Sequence, residues 1–358
     1  MLWNSPAVTL ALALATALLL KSEPWTAELK SAVTLDRKGE YRQALTKYTA
    51  LLSTAPVRAD AEIHAYVLSQ MADATMELGA YTEAETKTRE ALRILRSAHR
   101  METSTFAIAE GILAAALRAQ GDYGEAKRAA EQALSLGKRT LSPLAPHFGI
   151  LVTTLAQILQ ETGDLNGAQK LCSQAVDIFE KAGESSRMDL GSAYQNLAVV
   201  YALRGKARKA VDAVNLALAT WNQALPPDHP FVVYALSTKV VAYNKLKAFH
   251  QAEEIIPEML RLAESQFGAN HPRRAIALND AAAVYLAQKK YDLAEPLLRE
   301  AVAVGKRRFP AGHPLVRTTL LNYCYVLEKL NRKQEAAHSR AEAQVLLAFP
   351  EKRGPLFP

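Results

Sequence analysis

Three histidines, His229, His271 and His313, recur every 42 residues. Imidazoles at a fixed spacing are the residue type best suited to hold a metal or move a proton. The spacing itself argues against a shared metal. If one interval is one structural layer, neighbouring rings stand roughly 10 Å apart, whereas each ligand of one zinc ion lies about 2 Å from it. Capping of loops is the expected role. Cys172 and Cys324 are four layers apart, too far for a disulfide, which needs Cα atoms within about 7 Å. Both are expected to be buried, inert thiols. The sequence contains no Gly-x-x-x-x-Gly-Lys, His-Glu-x-x-His, Cys-x-x-Cys or Gly-x-Ser-x-Gly. The chemistry-bearing residues therefore give catalysis little footing, and no enzyme activity, cofactor or metal is expected.

Nearly the same interval runs through the chain, with a first step of 40 residues and later steps of 42. A phrase of the type Gly-x-Tyr-x-x-Ala begins at Gly39, Gly79, Gly121, Gly163 and Gly205, and continues in weaker form at Lys247, Lys289 and Asn331. With that residue as zero, small or apolar side chains recur at fixed offsets. Seven residues earlier stand Ala32, Ala72, Ala114, Ala156, Ala198, Val240, Ala282 and Cys324. Five later stand Ala44, Ala84, Ala126, Ala168, Ala210, Ala252, Ala294 and Ala336, and twelve later Leu51, Ala91, Ala133, Ala175, Ala217, Met259, Ala301 and Ala343. Spacings of three, four and seven are helical, and nothing alternates with period two. Each repeat reads as helix A, a tight turn at the glycine, and helix B. Pro146, Pro230, Pro272 and Pro314 share one offset and suit the first turn of helix A.

These positions resemble the tetratricopeptide repeat, over about residues 25–347. Its usual length is about 34 residues; the longer interval here resembles the kinesin-light-chain-like subtype, as does Ala269-Asn270-His271-Pro272. The resemblance implies an all-α, right-handed superhelical α-solenoid of about eight helix-turn-helix repeats. It also implies that helix A residues facing a concave groove bind the ligand. Carried over by offset, the candidates are Thr154, Gln157, Gln195, Asn196, Thr238, Asn279, Asp280 and Asn322. Amides both donate and accept hydrogen bonds, so such a row suits a peptide backbone; the competing reading is a merely polar surface. Lys30 stands beside Leu29 and Val33, and the next repeat offers Asp73, so capture of a C-terminal carboxylate is not expected. The implied function is a non-enzymatic scaffold or adaptor that binds an extended or helical peptide segment of another protein. The alternatives are a regulatory peptide sensor and a self-assembling structural module associating through its end repeats.

Residues 1–24 stand apart, with no charge between Leu2 and Leu20. Such a run suits a signal peptide or a membrane tether, although no basic residue precedes it and no small-x-small cleavage site follows it. Export or membrane anchoring is favoured over a cytoplasmic location. A proline- and aromatic-rich tail, residues 348–358, is expected to cover the last apolar face, unless a partner does so. The formal net charge is +7, concentrated in the second half. Its basic residues lack interleaved aromatics, so nucleic acid is not an expected partner.

Overall fold

The computed structural model describes residues 24–310 and 312–348. The N-terminal apolar segment and the tail after Ala348 lie outside the described residues. Seventeen α-helices and no strand occur among those described. Eight A/B pairs account for all but one. They are α1 (Pro24–Arg37) with α2 (Tyr41–Ser53), α4 (Ala61–Glu77) with α5 (Tyr81–Ser97), α6 (Ser104–Ala119) with α7 (Tyr123–Thr140), and α8 (Pro146–Glu161) with α9 (Leu165–Ala182). There follow α10 (Arg187–Leu203) with α11 (Ala207–Trp221), α12 (Pro230–Lys245) with α13 (Phe249–Phe267), α14 (Pro272–Ala287) with α15 (Tyr291–Arg308), and α16 (Pro314–Lys329) with α17 (Lys333–Ala348). The remaining helix, α3 (Ala55–Ala59), is a short insertion between the first two repeats.

The helices divide into two compact units. The first takes the described residues up to Gln160, with Asn166–Ala193 and Thr220–Pro226. The second takes Glu161–Leu165, Tyr194–Ala219 and the described residues from Pro227. Within each unit, an A helix packs on its own B helix, each B on the following A, and successive A helices on each other, as in α4 with α6 and α12 with α14. The A helices therefore form an inner layer and the B helices an outer one.

The small-residue rows make this close approach possible. Every residue of the three rows is at most 2 % exposed. Large side chains then fill sockets between helices. In the first unit Phe179 packs over Gly149, and Trp221 packs over Gly191 while its indole N–H donates to the carbonyl of Met188 at 2.9 Å. A Cβ on Gly191 would sit 2.3 Å from the Trp221 ring, so the glycine is what admits the aromatic.

At each turn the chain must enter the left-handed region. The five turn glycines have φ between +72° and +90°. Lys247, Lys289 and Asn331, at the same offset, adopt φ of +56°, +60° and +59° despite their side chains. The following amide closes the helix onto the carbonyl five residues back, as in Lys206 to Tyr201 at 2.8 Å and Lys290 to Tyr285 at 2.9 Å, the Schellman arrangement that satisfies orphan carbonyls. At the other end, the four periodic prolines open α8, α12, α14 and α16.

The periodic histidines cap three of those helices. Nδ1 of His229, His271 and His313 accepts the backbone N–H two residues on, at 3.2, 3.0 and 3.2 Å. The rings act as N-caps, satisfying a donor the helix leaves open. The cysteines are buried. Burial pushes the Cys172 thiol up to about 12, and Cys324 donates to the carbonyl of Ala336 at 3.2 Å.

Candidate functional site

The residues expected from repeat offset lie on A helices, two in the first unit and six in the second. Thr154 is buried on α8 and its hydroxyl donates to Ile150 O at 3.0 Å, within its own helix. Gln157 lies one turn further along α8. Both belong to the first unit.

In the second unit the row is a ladder between repeats. Gln195 Nε2 donates to Thr238 Oγ1 at 2.5 Å and to Tyr234 O at 3.1 Å. Ser237 Oγ donates to Asp280 Oδ2 at 2.5 Å. Asn279 Oδ1 accepts from Asn322 Nδ2 and from Thr319 Oγ1, each at 3.4 Å. Three of these bonds join residues 43 positions apart, so each runs from one row to the adjacent row of the next repeat. Asn196 is half-buried beside Gln195. Gln195, Thr238, Asn279, Asp280 and Asn322 thus make hydrogen bonds to a neighbouring repeat or receive them from one, a use that offset counting does not reveal.

The ladder is lopsided. Gln195 and Asn244 spend their amide N–H groups on the next repeat, the latter on Ala283 O at 3.3 Å. Their carbonyl oxygens, Gln195 Oε1 and Asn244 Oδ1, are buried and have no hydrogen-bond partner. An acceptor left unmet costs about 1–3 kcal/mol. Asp280 is also perturbed: burial lifts its carboxyl to about 7, against the pull of hydrogen bonds from Ser237 and Asn279.

The first unit contains a group of ionisable residues that sequence reasoning did not assemble. Asp36 closes α1, Tyr66 and Asp73 lie on α4, His147 opens α8 and Asp189 opens α10. Asp73 is exposed on α4, and its carboxyl is raised above the ordinary range, by desolvation first and by the like charges of Glu77 and Asp189 second. Burial likewise raises Asp36 well above 3.8, helped by Asp73 and Glu77, while Arg37 and a 3.5 Å hydrogen bond from Tyr48 oppose the shift. Desolvation raises Asp189 against the attraction of Arg37, raises the Tyr66 phenol to about 12, and lowers His147 to about 4, so its ring is neutral at neutral pH. The available signal was Asp73, the one charge in a row that otherwise holds Val33, Ala115, Gln157, Val199, Val241, Ala283 and Tyr325.

Among the described residues no group of three or more His, Cys, Asp or Glu could hold a metal ion. Nor is any described helix long and apolar enough to cross a membrane.

The repeat geometry matches a known family. Models of the tetratricopeptide repeat match residues 112–147, 149–223 and 231–307, together more than half of the chain. The chain belongs to the tetratricopeptide-repeat family. No curated protein matches its sequence. Among solved structures, this tetratricopeptide-repeat chain is similar to a Rap protein complexed with competence and sporulation factor, at 16% identity and TM-score 0.65 over 79% of this chain and 75% of that one. It is similar to the apo quorum sensor NprR from B. thuringiensis, at 12% identity and TM-score 0.58 over 90% and 87%. It also resembles BtubC (BKLC) from P. vanneervenii, at 21% identity and TM-score 0.51 over 67% and 94%. At these identities the likeness is one of fold.

Proposed function

We propose that this tetratricopeptide-repeat protein is a non-enzymatic adaptor whose A helices hold a peptide segment of another protein. The observation that carries the reading is the pair of unmet acceptors at Gln195 Oε1 and Asn244 Oδ1. An extended peptide brings backbone N–H donors, and a donor delivered to each oxygen recovers the cost of leaving it unsatisfied. Asn196, Thr238, Asn279, Asp280 and Asn322 lie on A helices of the same unit and complete the contact surface.

A second reading has its own support. The similar Rap protein is complexed with a competence and sporulation factor, and the similar NprR is a quorum sensor. Applied to this chain, they favour a sensor whose groove takes a signalling ligand and alters a partner. Small-angle scattering separates the two readings, because only a sensor requires a change of shape on ligand addition. The apolar run at residues 2–20 supports a place on the far side of a membrane, exported or tethered. Recovery of the native chain from the cytosolic fraction alone would remove that element.

The test is affinity capture from the native host with the full chain, beside a Gln195→Ala/Asn244→Ala variant of verified fold. Loss of the captured partner from the variant is the expected outcome. Equal retention by both would place binding elsewhere, on the outer helices or the basic second half.

A further inference from the structure

Each rung of the ladder joins two repeats, so the row must end where the A helices end. Gln195, Ser237 and Asn279 share one offset on α10, α12 and α14, and each bonds to the A helix that follows, at Thr238, Asp280 and Asn322. Gln195 and Ser237 are buried and Asn279 is half-buried. One turn further on, Val199, Val241 and Ala283 are half-buried too. On α16, the last A helix described, the same two offsets hold Leu321 and Tyr325. These are 43% and 45% exposed.

An end that faces water calls for polar residues at such positions. Here the residue types change the other way. Amides and a hydroxyl give way to leucine, and valine or alanine to tyrosine. Leu321, Tyr325 and Lys329 are the exposed residues of α16 and form one line along it at i, i+4 and i+8. The Tyr325 ring is held in place. Tyr291 meets it edge-on with centroids 6.2 Å apart, and Lys329 Nζ lies 5.2 Å from its centroid. The line occupies the face that earlier A helices give to their successors.

Its occupant must be small. Stable association of separate chains takes roughly 800 Å² from each partner, far more than two side chains less than half exposed can offer. Head-to-tail stacking also lacks a match, because the first described A helix, α1, exposes only Pro24, Ala27, Glu28 and Thr34. A segment of the same chain escapes that requirement, since its attachment sets its local concentration at about the mM range. Residues 349–358, outside the described residues, follow α17 and include Phe349, Leu356 and Phe357. The geometry puts them in reach. α17 runs antiparallel to α16, with Cys324 Sγ donating to Ala336 O at 3.2 Å and Val316 and Leu320 packing with Ala343. The end of α17 at Ala348 therefore stands beside the start of α16 at Pro314. Leu321 lies about 10 Å along α16 from Pro314 at 1.5 Å per residue. The stretch from Ala348 to Leu356 spans up to about 26 Å, enough to cross one helix width of about 10 Å and reach it.

We infer that residues 349–358 fold back over α16 and seat Leu356 and Phe357 against Leu321 and Tyr325, closing the ladder where a further A helix would stand. The occupant is the chain's own tail and not a second copy. The closure is independent of peptide binding on the other A helices.

Labelling of an introduced thiol by a maleimide reads the contact in the full chain. Cys172 and Cys324 are 1% and 2% exposed, so the introduced thiol is the one reported. Leu321→Cys probes the face while Tyr325 still holds the tail. Leu293→Cys, at a leucine 51% exposed on α15, is the reference. Both leucines are at the surface, so neither change should cost much stability. The expected result is labelling of Leu321→Cys about tenfold slower than of Leu293→Cys, at every protein concentration; tenfold corresponds to about 1.4 kcal/mol of docking. Adding Leu356→Asp and Phe357→Asp should restore the faster rate at Leu321→Cys and leave Leu293→Cys unchanged. Equal rates at the two thiols, or slow labelling of Leu321→Cys that persists in the tail variant, overturns the inference. Slow labelling relieved by dilution also overturns it and assigns the face to a second copy.

Discussion

At the scale of single residues, desolvation holds a few A-helix carboxyls away from their ordinary protonation. Asp280 is the clearest case, because its burial is opposed by identified hydrogen bonds. Its folded carboxyl titrates near 7, against 3.8 ordinarily. Between those values the folded chain keeps a proton that the unfolded chain has lost. Stability from this group therefore falls as pH rises from about 4 to about 7, then levels off. Asp280→Asn removes the dependence while keeping an acceptor for Ser237. Urea denaturation should find the variant more stable than wild type by about 1–2 kcal/mol near pH 8, with the gap closing near pH 4. A gap that widens on acidification would mean that the ionised form is the favoured one. The histidines differ in kind. Their periodic spacing invites a metal reading, but each Nδ1 accepts a backbone N–H of its own helix, so the period reports a repeated cap.

At the scale of helices and turns, the repeat is carried by backbone conformation and by size. Lys247 and Lys289 hold left-handed φ where five other repeats have glycine. A β-carbon there costs roughly 1–2 kcal/mol, part of which glycine returns as unfolded-state entropy. Lys247→Gly should raise the urea midpoint by the equivalent of about 0.5–1 kcal/mol, and Asn331→Gly should gain less, since Asn tolerates this region. No gain at Lys247 would mean that its turn is not strained. Size enters at Gly191, where a methyl group would strike the rigid Trp221 ring. Gly191→Ala should cost about 1–3 kcal/mol in the same assay, and a neutral result would contradict the socket. The turn and the alanine rows were legible because each is a short-range requirement written at a fixed offset. The socket was not, since Gly191 and Trp221 are 30 residues apart and no single-residue pattern links them. Offset counting also recovered the polar row but not its bonds, because the partner of each amide is set by how successive A helices pack.

At the scale of the whole molecule, a family assignment follows from the repeat alone, whereas a ligand does not. All eight candidate residues lie on A helices, as their offsets required. The acidic group of the first unit was illegible for a different reason: its members occupy unrelated offsets in four repeats, and only packing brings them within electrostatic range. Asp73 alone stood out, as a charge in an otherwise uncharged row. The account's central claim is that the A helices, not the B helices, bind a peptide. Hydrogen exchange of the full chain, with and without a peptide of the captured partner, tests it directly. Slower exchange confined to the second unit's A helices, α12, α14, α16 and the part of α10 from Tyr194, is the predicted result. Protection falling instead on α11, α13, α15 and α17 would contradict it.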